Sequence, residues 1–407
     1  MKRKIIFALA IILYRVLLDI NYEESIAPYW SYFRLISQQT NESNFISWCF
    51  LVSLIPIVYK NVTSKKTVTS YAAFFLFMIC VVPLTSYLNF APQSFEFIFL
   101  SYIYWLLLFL FLLYIRIKPY HPIRNAEQII AIIAIVIISS VIIVSGVYAK
   151  FRLHFDLQDV YGLRMESREF KMPIILKYIH AAAGNVLPLL MMYFLFKKNK
   201  LMIYFIAFIG LLEFSIAGQK SAIFKIVFCL ILCFWKNINY KKAIIPAFVI
   251  LCISALVEEY FCGYSMISNM VIRRVLYIPQ MLNTVFYDYV INHGPIFFEP
   301  KFFGQLNYII GDIYFGHSEM SANNGLFTDA VVNLGWFGCL FYPFLLGIFF
   351  NMCEAAFVNK NKGVVIYTTL ISVTTFMSSV FTTALLTHAV AATCLMVYLM
   401  PNDRTNK

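Results

Sequence analysis

The sequence predicts an all-α fold, a polytopic membrane helical bundle of about 12 transmembrane helices with two long loops on its outer side. Of its 407 residues, 61% are hydrophobic and 13% are charged, and the mean hydropathy is +0.77. That composition lies far outside the range of soluble globular domains. A membrane β-barrel would instead show alternating segments of about ten residues. We therefore expect residues 1–407 to form a single integral-membrane domain.

Apolar runs of roughly 20 residues predict the individual helices. They cover residues 5–22, 44–59, 67–88, 96–115, 128–149, 173–196, 201–217, 221–235, 243–261, 327–352, 363–381 and 382–400. The first run begins like a signal peptide, but Arg15 and Asp19 interrupt it and no small-residue cleavage site follows. Because Arg15 and Asp19 are four residues apart, they can neutralise each other on one helix. We expect this run to be retained as the first span.

Basic clusters predict the orientation of the bundle. They occur in alternate connections, at Lys2, Arg3 and Lys4, at Lys60, Lys65 and Lys66, at Arg116, Lys118 and Arg124, at Lys197, Lys198 and Lys200, at Lys236, Lys241 and Lys242, at Lys360 and Lys362, and at Arg404 and Lys407. The positive-inside rule places that side, and with it both termini, in the cytoplasm. The net charge of +12 is thus explained by topology, and no nucleic acid partner is expected.

Two connections on the opposite side are long, covering residues 150–172 and 262–326, and function is expected there. The second includes an apolar stretch around Arg273 and Arg274. Each of these arginines would cost about 2.5 to 3.5 kcal/mol at the centre of a membrane span. A further crossing would also move Lys360 and Lys362 to the outside. The stretch is therefore predicted to be an amphipathic or re-entrant segment at the outer face.

The first long loop carries basic residues against the topological bias. Arg164, Arg168 and Lys171 have the spacing of one helix face, and Glu166 and Glu169 fall on another. Such a face would present two guanidinium groups and an ammonium group at the level of the lipid headgroups. The alternative is that these residues only anchor a helix at the membrane interface, with the glutamates neutralising them.

Three further basic residues are candidate ligands of a diphosphate. The guanidinium groups of Arg273 and Arg274 match phosphate oxygens in pairs, although such a pair also binds lipid headgroups generally. Lys220 follows Gly218 at a tight outer turn, where backbone donors and the helix dipole favour an anion. Glu213 lies two turns below Lys220 and is a competing partner for it.

Candidate acid and base groups lie in the sequence GDIYFGHSEMSANNGLFTDAVVNLGWFG, at the end of the second loop. His317 and Glu319 are the candidates for proton transfer, whereas His180 and His388 look like ordinary residues of spans. The chain contains no HExxH motif, no paired DxD and no Cys/His cluster. We therefore expect neither a metal site nor a cofactor.

At this point the chain resembles a known family. Its topology, the GQKSA turn at residues 218–222 and the segment NNGLFTDAVVNLGWFGCLFYPFLLG at residues 323–347 resemble the Wzy-type O-antigen polymerases. These belong to the wider group of bacterial oligosaccharide repeat-unit polymerases and O-antigen ligases. The topological likeness covers the whole chain, and the local likeness covers only those two segments. Lys220 stands where the family has an arginine, which keeps the charge but loses the planar fork.

The resemblance implies a glycosyltransferase of lipopolysaccharide biosynthesis in the bacterial inner membrane. Such an enzyme joins oligosaccharide repeat units carried on undecaprenyl diphosphate at the periplasmic face. Its partners are these lipid-linked oligosaccharides, membrane lipids and a chain-length regulator protein. In this reading, Arg164, Arg168, Lys220, Arg273 and Arg274 neutralise the diphosphate. His317 or Glu319 is the base that deprotonates the acceptor hydroxyl group.

Three alternatives remain open at the level of sequence. An O-antigen ligase shares the topology and the lipid-linked donor but transfers the chain to lipid A. A metal-dependent polyprenyl-phosphate sugar transferase would use an acid in the first outer segment, where Asp19, Glu23 and Glu24 lie. A transporter or flippase of lipid-linked sugars would bury charges along a path through its spans, for which Arg15, Asp19, Glu213 and Lys225 are the candidates.

Overall fold

The computed structural model describes residues 2–153, 160–218, 220–234 and 240–402, apart from the side chains of residues 160, 161, 164, 168, 217, 220–224, 233, 234 and 240. Within these ranges the chain is helical and contains no β-strand. Eight described helices are long and apolar enough to cross a membrane, namely Lys2–Phe33, Asn41–Val62, Val68–Phe90, Phe95–Tyr114, Ala126–Val147, Ile174–Phe196, Lys241–Cys262 and Phe327–Ala356. The all-helical class and the multi-pass membrane character are therefore confirmed.

The α-helices are numbered in chain order. They are α1 (Lys2–Asn21), α2 (Ala27–Trp30), α3 (Asn41–Val62), α4 (Val68–Leu76), α5 (Val82–Phe90), α6 (Phe95–Tyr114), α7 (Ala126–Val147), α8 (Val160–Glu169), α9 (Ile174–Phe196), α10 (Lys200–Ala217), α11 (Lys220–Phe234), α12 (Tyr240–Cys262), α13 (Ile278–His293), α14 (Leu306–Phe315), α15 (Phe327–Ala356), α16 (Lys362–Ser378), α17 (Phe381–Leu386) and α18 (Val390–Leu399). The four predicted spans beyond the eight also lie on helices, namely α10, α11, α16 and the interrupted pair α17 and α18.

The chain divides into two compact units. Unit 1 comprises Met1–Ile117, Ile238–Met352 and Phe376–Val380, and unit 2 comprises Lys118–Asn237, Cys353–Thr375 and Phe381–Lys407. The centre of unit 1 is the continuous helix formed by α4, a π-helical turn and α5, which is buried over its whole apolar window. A helix that is apolar on every side is stable inside a bundle or among lipid acyl chains, and here the neighbouring helices bury it. Unit 1 is therefore built around α4 and α5.

In unit 2, α9 occupies the central position and packs against α7, α10, α11 and α18. A glycine allows α10 and α11 to approach each other closely. Gly210 of α10 faces Ile226 of α11, and a Cβ atom at Gly210 would lie 3.0 Å from the Ile226 Cδ1 atom. Pro173, with an extended ψ of 140°, is the N-cap of α9. The fixed φ of proline suits the start of a helix.

The second long loop is largely helical. A π-helical segment, Ser268–Tyr277, continues into α13, and α14 follows. In the π-helical segment the buried residues recur every three to four positions, at Ser268, Asn269, Ile272, Arg273, Leu276 and Tyr277. The segment thus has one buried and one exposed face, the pattern expected of an amphipathic helix.

The sequence around Asn324 and Gly325 has a packing role in unit 1. The Asn324 side-chain amide donates to the Pro279 carbonyl oxygen at 3.0 Å and contacts the side chains of Asn283 and Thr328. A Cβ atom at Gly325 would lie 2.1 Å from the Phe376 carbonyl oxygen. Only glycine fits so close to another backbone. These two residues therefore pack the segment before α15 against α13 and α16.

Candidate functional site

The residues that the sequence singled out fall in both units. Unit 2 contains Arg164, Arg168 and Lys220, and unit 1 contains Arg273, Arg274, His317 and Glu319. The side chains of Arg164, Arg168 and Lys220 lie outside the described residues, although their backbone belongs to α8 and α11. Each unit is therefore considered by itself.

In unit 1, Arg273 and Arg274 have different surroundings. Arg273 is 5% exposed, and its guanidinium carbon lies 3.5 Å from the centre of the Trp30 ring. The Trp30 indole nitrogen in turn donates to the Asn269 side chain. Burial and the neighbouring charge of Arg274 lower the pKa of Arg273. Arg274 is exposed, so one arginine packs on an aromatic ring while the other is free to meet a ligand.

His317 and Glu319 lie in the turn after α14, and both side chains are exposed. Gly316 ends α14 with a φ of 68°, and the His317 amide then donates to the Gly311 carbonyl oxygen at 3.2 Å. These backbone contacts fix the turn but hold neither side chain. The role of His317 or Glu319 as a base stays a prediction.

In unit 2, the first long loop and the GQKSA turn lie at the same end. Helix α8 packs against α10, and α10 ends at Gly218, which adopts a φ of 58° and donates to the Phe214 carbonyl oxygen at 2.8 Å. Helix α11 begins directly afterwards at Lys220. Arg164 and Arg168 are one turn apart on α8 and Lys220 opens α11, so three predicted diphosphate ligands sit on adjoining elements.

Lys171 does not share the helix of Arg164 and Arg168. Helix α8 ends at Glu169, and the Lys171 carbonyl oxygen accepts a hydrogen bond from the Tyr148 hydroxyl group at 3.2 Å. The approach to Pro173 explains the early end, because the residue before a proline is disfavoured in the helical region. Glu166 of α8 forms an ion pair with Arg152, with 2.5 Å between the Oε2 and Nη1 atoms. One acid of the first long loop thus neutralises a basic residue of the same loop.

A cavity of about 250 Å³ lies inside this end of unit 2. Its lining is mostly polar and comprises Ser167, Phe170, Met172, Lys177, His180, Ala181, Gly184, Asn185, Glu213, Ile216, Lys225, Thr387 and His388. His180 is six residues after the start of α9, Glu213 is four residues before the end of α10, and Lys225 is five residues after the start of α11. At a rise of 1.5 Å per residue, all three lie about 6 to 9 Å from the helix ends.

Lys225 is held in place by a hydrogen-bond chain. Its ammonium group donates to the Asn185 Oδ1 atom at 2.7 Å, and the Asn185 Nδ2 atom donates to the His388 carbonyl oxygen at 2.7 Å. Asn185 thus connects Lys225 of α11 to the backbone at the break between α17 and α18. A cation at this depth in an apolar bundle is a functional candidate by default.

Two other buried polar groups face the cavity without a partner among the described residues. His180 is 9% exposed, and its Nδ1 atom has no hydrogen-bond partner there. Glu213 is 5% exposed and belongs to none of the four described ion pairs. A buried group without a partner costs about 1 to 3 kcal/mol, so an arrangement of this kind suits a polar ligand.

The spacing of some residues that line the cavity is visible in the sequence. Lys177, His180 and Gly184 have the i, i+3, i+7 spacing of one helix face, but His180 and His388 each look like an ordinary residue of a span in the sequence. Only the packing of α9, α10 and α11 brings them together. Among the described residues, no group of three or more His, Cys, Asp or Glu side chains is placed to hold a metal ion.

Comparison with known proteins finds no family model that matches the chain, no curated protein that is similar to it and no solved structure that resembles it.

Proposed function

We propose that the chain is a polymerase that joins oligosaccharide repeat units carried on a polyprenyl diphosphate, as the O-antigen polymerases do. The observation that carries this proposal is the polar cavity of unit 2, which contains Lys177 and Lys225 and lies beneath α8 and the Gly218 turn. In the proposed topology the chain crosses the bacterial inner membrane 12 times, counting α10, α11, α16 and the α17–α18 pair. Both termini are cytoplasmic and the cavity opens to the periplasm.

The position of the cavity matches the shape of a lipid diphosphate. Such a molecule places its charged group at the membrane interface and its polyprenyl tail among the acyl chains. The cationic lining lies about one to two turns inside the helix ends, given a 5.4 Å pitch. On the neighbouring outer surface of α9, Ile174 and Ile175 are 73% and 75% exposed. They offer an apolar surface for the tail next to a polar place for the diphosphate.

The reaction needs positive charge more than it needs an acid. The bond between the sugar anomeric carbon and the diphosphate oxygen breaks, and the diphosphate leaves with the electron pair. The acceptor hydroxyl group bonds to that anomeric carbon and loses its proton. Fixed cations stabilise the charge that develops on the leaving group. Lys225 and Lys177 supply that charge in the cavity, supported by Arg164, Arg168 and Lys220 on α8 and α11.

A strain that lacks this gene tests the proposal. We expect it to make lipopolysaccharide capped with a single repeat unit, and the wild-type gene to restore the ladder of long chains on a gel. If the chain were instead an O-antigen ligase, the strain that lacks this gene would make no capped lipopolysaccharide. Loss of a chain-length regulator would instead change the lengths of the long chains, and the ladder would still be present.

The second candidate function is transport of a lipid-linked sugar, and one observation favours it. Glu213 and Lys225 in unit 2, and Arg15 in unit 1, are charges within helices, and a path for a polar substrate through either unit requires such charges. However, Arg15 is occupied by Asp19 and by Thr85, whose carbonyl oxygen accepts from it at 2.7 Å. Movement of a labelled lipid-linked repeat unit across vesicles without chain extension would favour transport.

A further inference from the structure

Among the described residues that line the unit 2 cavity, Glu213 is the one acid. It lies four residues before the end of α10, and among the described residues no basic nitrogen lies within the 4.0 Å of an ion pair. No described group donates a hydrogen bond to it either. A carboxyl group that is 5% exposed and faces a polar cavity in this way is suited to accept a hydrogen bond from an occupant.

Gly184 provides the room that this carboxyl group occupies. Helices α9 and α10 pack together, and a Cβ atom at Gly184 would lie 3.3 Å from the Glu213 Oε1 atom. That spacing is tighter than most contacts of a real Cβ atom, so even alanine would press on the carboxyl oxygen. The glycine therefore leaves room beside α9 for the Glu213 carboxyl group, which lines the cavity there.

The charged and titratable groups around Glu213 come from every neighbouring element. Helix α11 presents Lys225, and α9 presents Lys177 and His180. The α17–α18 break presents His388, and α8 carries Arg164, Glu166, Arg168 and Glu169. Helix α7 has no titratable residue between Glu127 and its end at Val147.

We propose that Glu213 is the catalytic base of the transfer, an assignment that rests on the polymerase function proposed above and deepens it. The carboxylate takes the proton of the acceptor hydroxyl group as that oxygen bonds to the anomeric carbon. The carbon–oxygen bond to the diphosphate breaks in the same step, and its electron pair leaves with the diphosphate. Lys225 stays with the leaving group, and its hydrogen bond to the Asn185 Oδ1 atom fixes its position.

The experiment measures chain extension by the purified full-length protein in lipid nanodiscs. The substrate is the undecaprenyl-diphosphate-linked repeat unit isolated from the strain that lacks this gene, and released undecaprenyl diphosphate is counted. The variants are Glu213→Gln and Glu213→Ala, and the matched control is Glu127→Gln, an exposed carboxylate that pairs with Lys197 at the other end of unit 2. Thermal unfolding of each variant shows whether it folds.

We expect Glu213→Gln to slow extension by about a hundredfold or more, because a positioned base contributes about 10² to 10⁴ in rate. The rate of the wild-type protein should rise with pH along a limb that Glu213→Gln lacks. Added formate should partly restore Glu213→Ala, and acetate, the stronger base, should restore more. If Glu213 only balanced charge, rescue of Glu213→Ala would not increase with the basicity of the added carboxylate. The comparison of formate with acetate therefore tests the role of Glu213 even if the variants are less stable than wild type.

Two results would overturn the assignment without touching the proposed function. One is a Glu213→Gln protein that extends chains within about twofold of wild type with the same pH profile. The other is equal rescue by formate and acetate. Loss of activity in His317→Gln or Glu319→Gln, with Glu213→Gln active, would return the base to the second long loop. If the wild-type protein releases no undecaprenyl diphosphate, the polymerase proposal itself fails.

Discussion

Lys225 and Glu213 face one cavity from the neighbouring helices α11 and α10, yet the lysine donates its hydrogen bond to Asn185 Oδ1 at 2.7 Å. If the two charges were present only to neutralise each other, a direct ion pair would be the more stable arrangement. The separation leaves a cation and an acid available to a ligand at the same time. The account of function depends on this arrangement.

Removing the charge of Lys225 should strongly slow chain extension. Lys225→Gln removes the cation from the cavity but keeps a side chain that can reach Asn185, so we expect extension to fall at least about tenfold, the equivalent of about 1.4 kcal/mol. Lys225→Arg should keep part of the activity because it keeps the charge. Lys200→Gln, an exposed lysine at the opposite end of α10, is the control and should be unchanged. A Lys225→Gln strain with a normal polysaccharide ladder would contradict the assignment.

Gly184 should be sensitive to the size of its replacement. Gly184→Ala brings a Cβ atom to 3.3 Å from Glu213 Oε1, and Gly184→Val adds two methyl groups there. We expect activity to fall in that order, while substrate binding changes less than turnover. The control is Gly263→Ala, where a Cβ atom would meet no atom within 4 Å, although its φ of 68° adds some strain. Equal activity in wild-type protein and Gly184→Val would show that the carboxyl group needs no such room.

Arg273 and Arg274 should differ in their effect on stability. Arg273→Ala removes a buried guanidinium group from the Trp30 ring, a cation–π contact of about 0.5 to 2 kcal/mol. Arg274→Ala alters an exposed side chain and should leave the melting temperature unchanged. Thermal unfolding in detergent measures both. If both variants keep the wild-type melting temperature but lose polymer, the diphosphate role predicted for the pair from the sequence gains support over a packing role.

The ion pair between Arg15 and Asp19 should be structural. Arg15 is fully buried and also donates to the Thr85 side chain, while Asp19 accepts from Ser86 at 2.5 Å. Removing one partner of a buried pair costs about 3 to 5 kcal/mol. Asp19→Asn should therefore lower the amount of folded protein in the membrane. Normal expression and a normal melting temperature would show that the pair does not stabilise unit 1.

Asp19 also separates two classes of function. In a metal-dependent sugar transferase, Asp19 would be a catalytic acid, and chelation would stop the reaction in otherwise intact protein. The hydrogen bonds of Asp19 to Arg15 and Ser86 assign it to packing instead. We expect chain extension to continue in the presence of a chelator.

The helical class could be read from the sequence because long apolar runs leave few other folds in a membrane. The spacing around Arg164 and Arg168 also predicted a helix, and α8 is there. The end of α8 before Lys171 depends on the local effect of Pro173, which a periodic pattern does not include. Similarly, the pairing of Arg273 with Trp30 joins residues far apart in the chain, and periodicity carries no information about such contacts.

The candidate site shows the same limit. Glu213, Lys225 and His180 each look like an isolated polar residue in an apolar run, and the sequence alone left Glu213 as a partner for Lys220. All three lie at a similar distance from the ends of their helices. That similarity can be recognised only when the starts of α9 and α11 and the end of α10 are known. The Asn324–Gly325 segment illustrates the opposite case. It suggested a family by its pattern, and in unit 1 it makes packing contacts.

The central claim is that the protein lengthens a lipid-linked saccharide with the help of the unit 2 cavity. The most direct measurement incubates the purified protein with undecaprenyl-diphosphate-linked repeat units and follows the lipid-linked products by mass spectrometry. The account predicts products two, three and more repeat units long, an equivalent release of undecaprenyl diphosphate, and at least about tenfold less of both with Lys225→Gln. Unchanged single repeat units with folded wild-type protein, or equal products from wild type and Lys225→Gln, would contradict it.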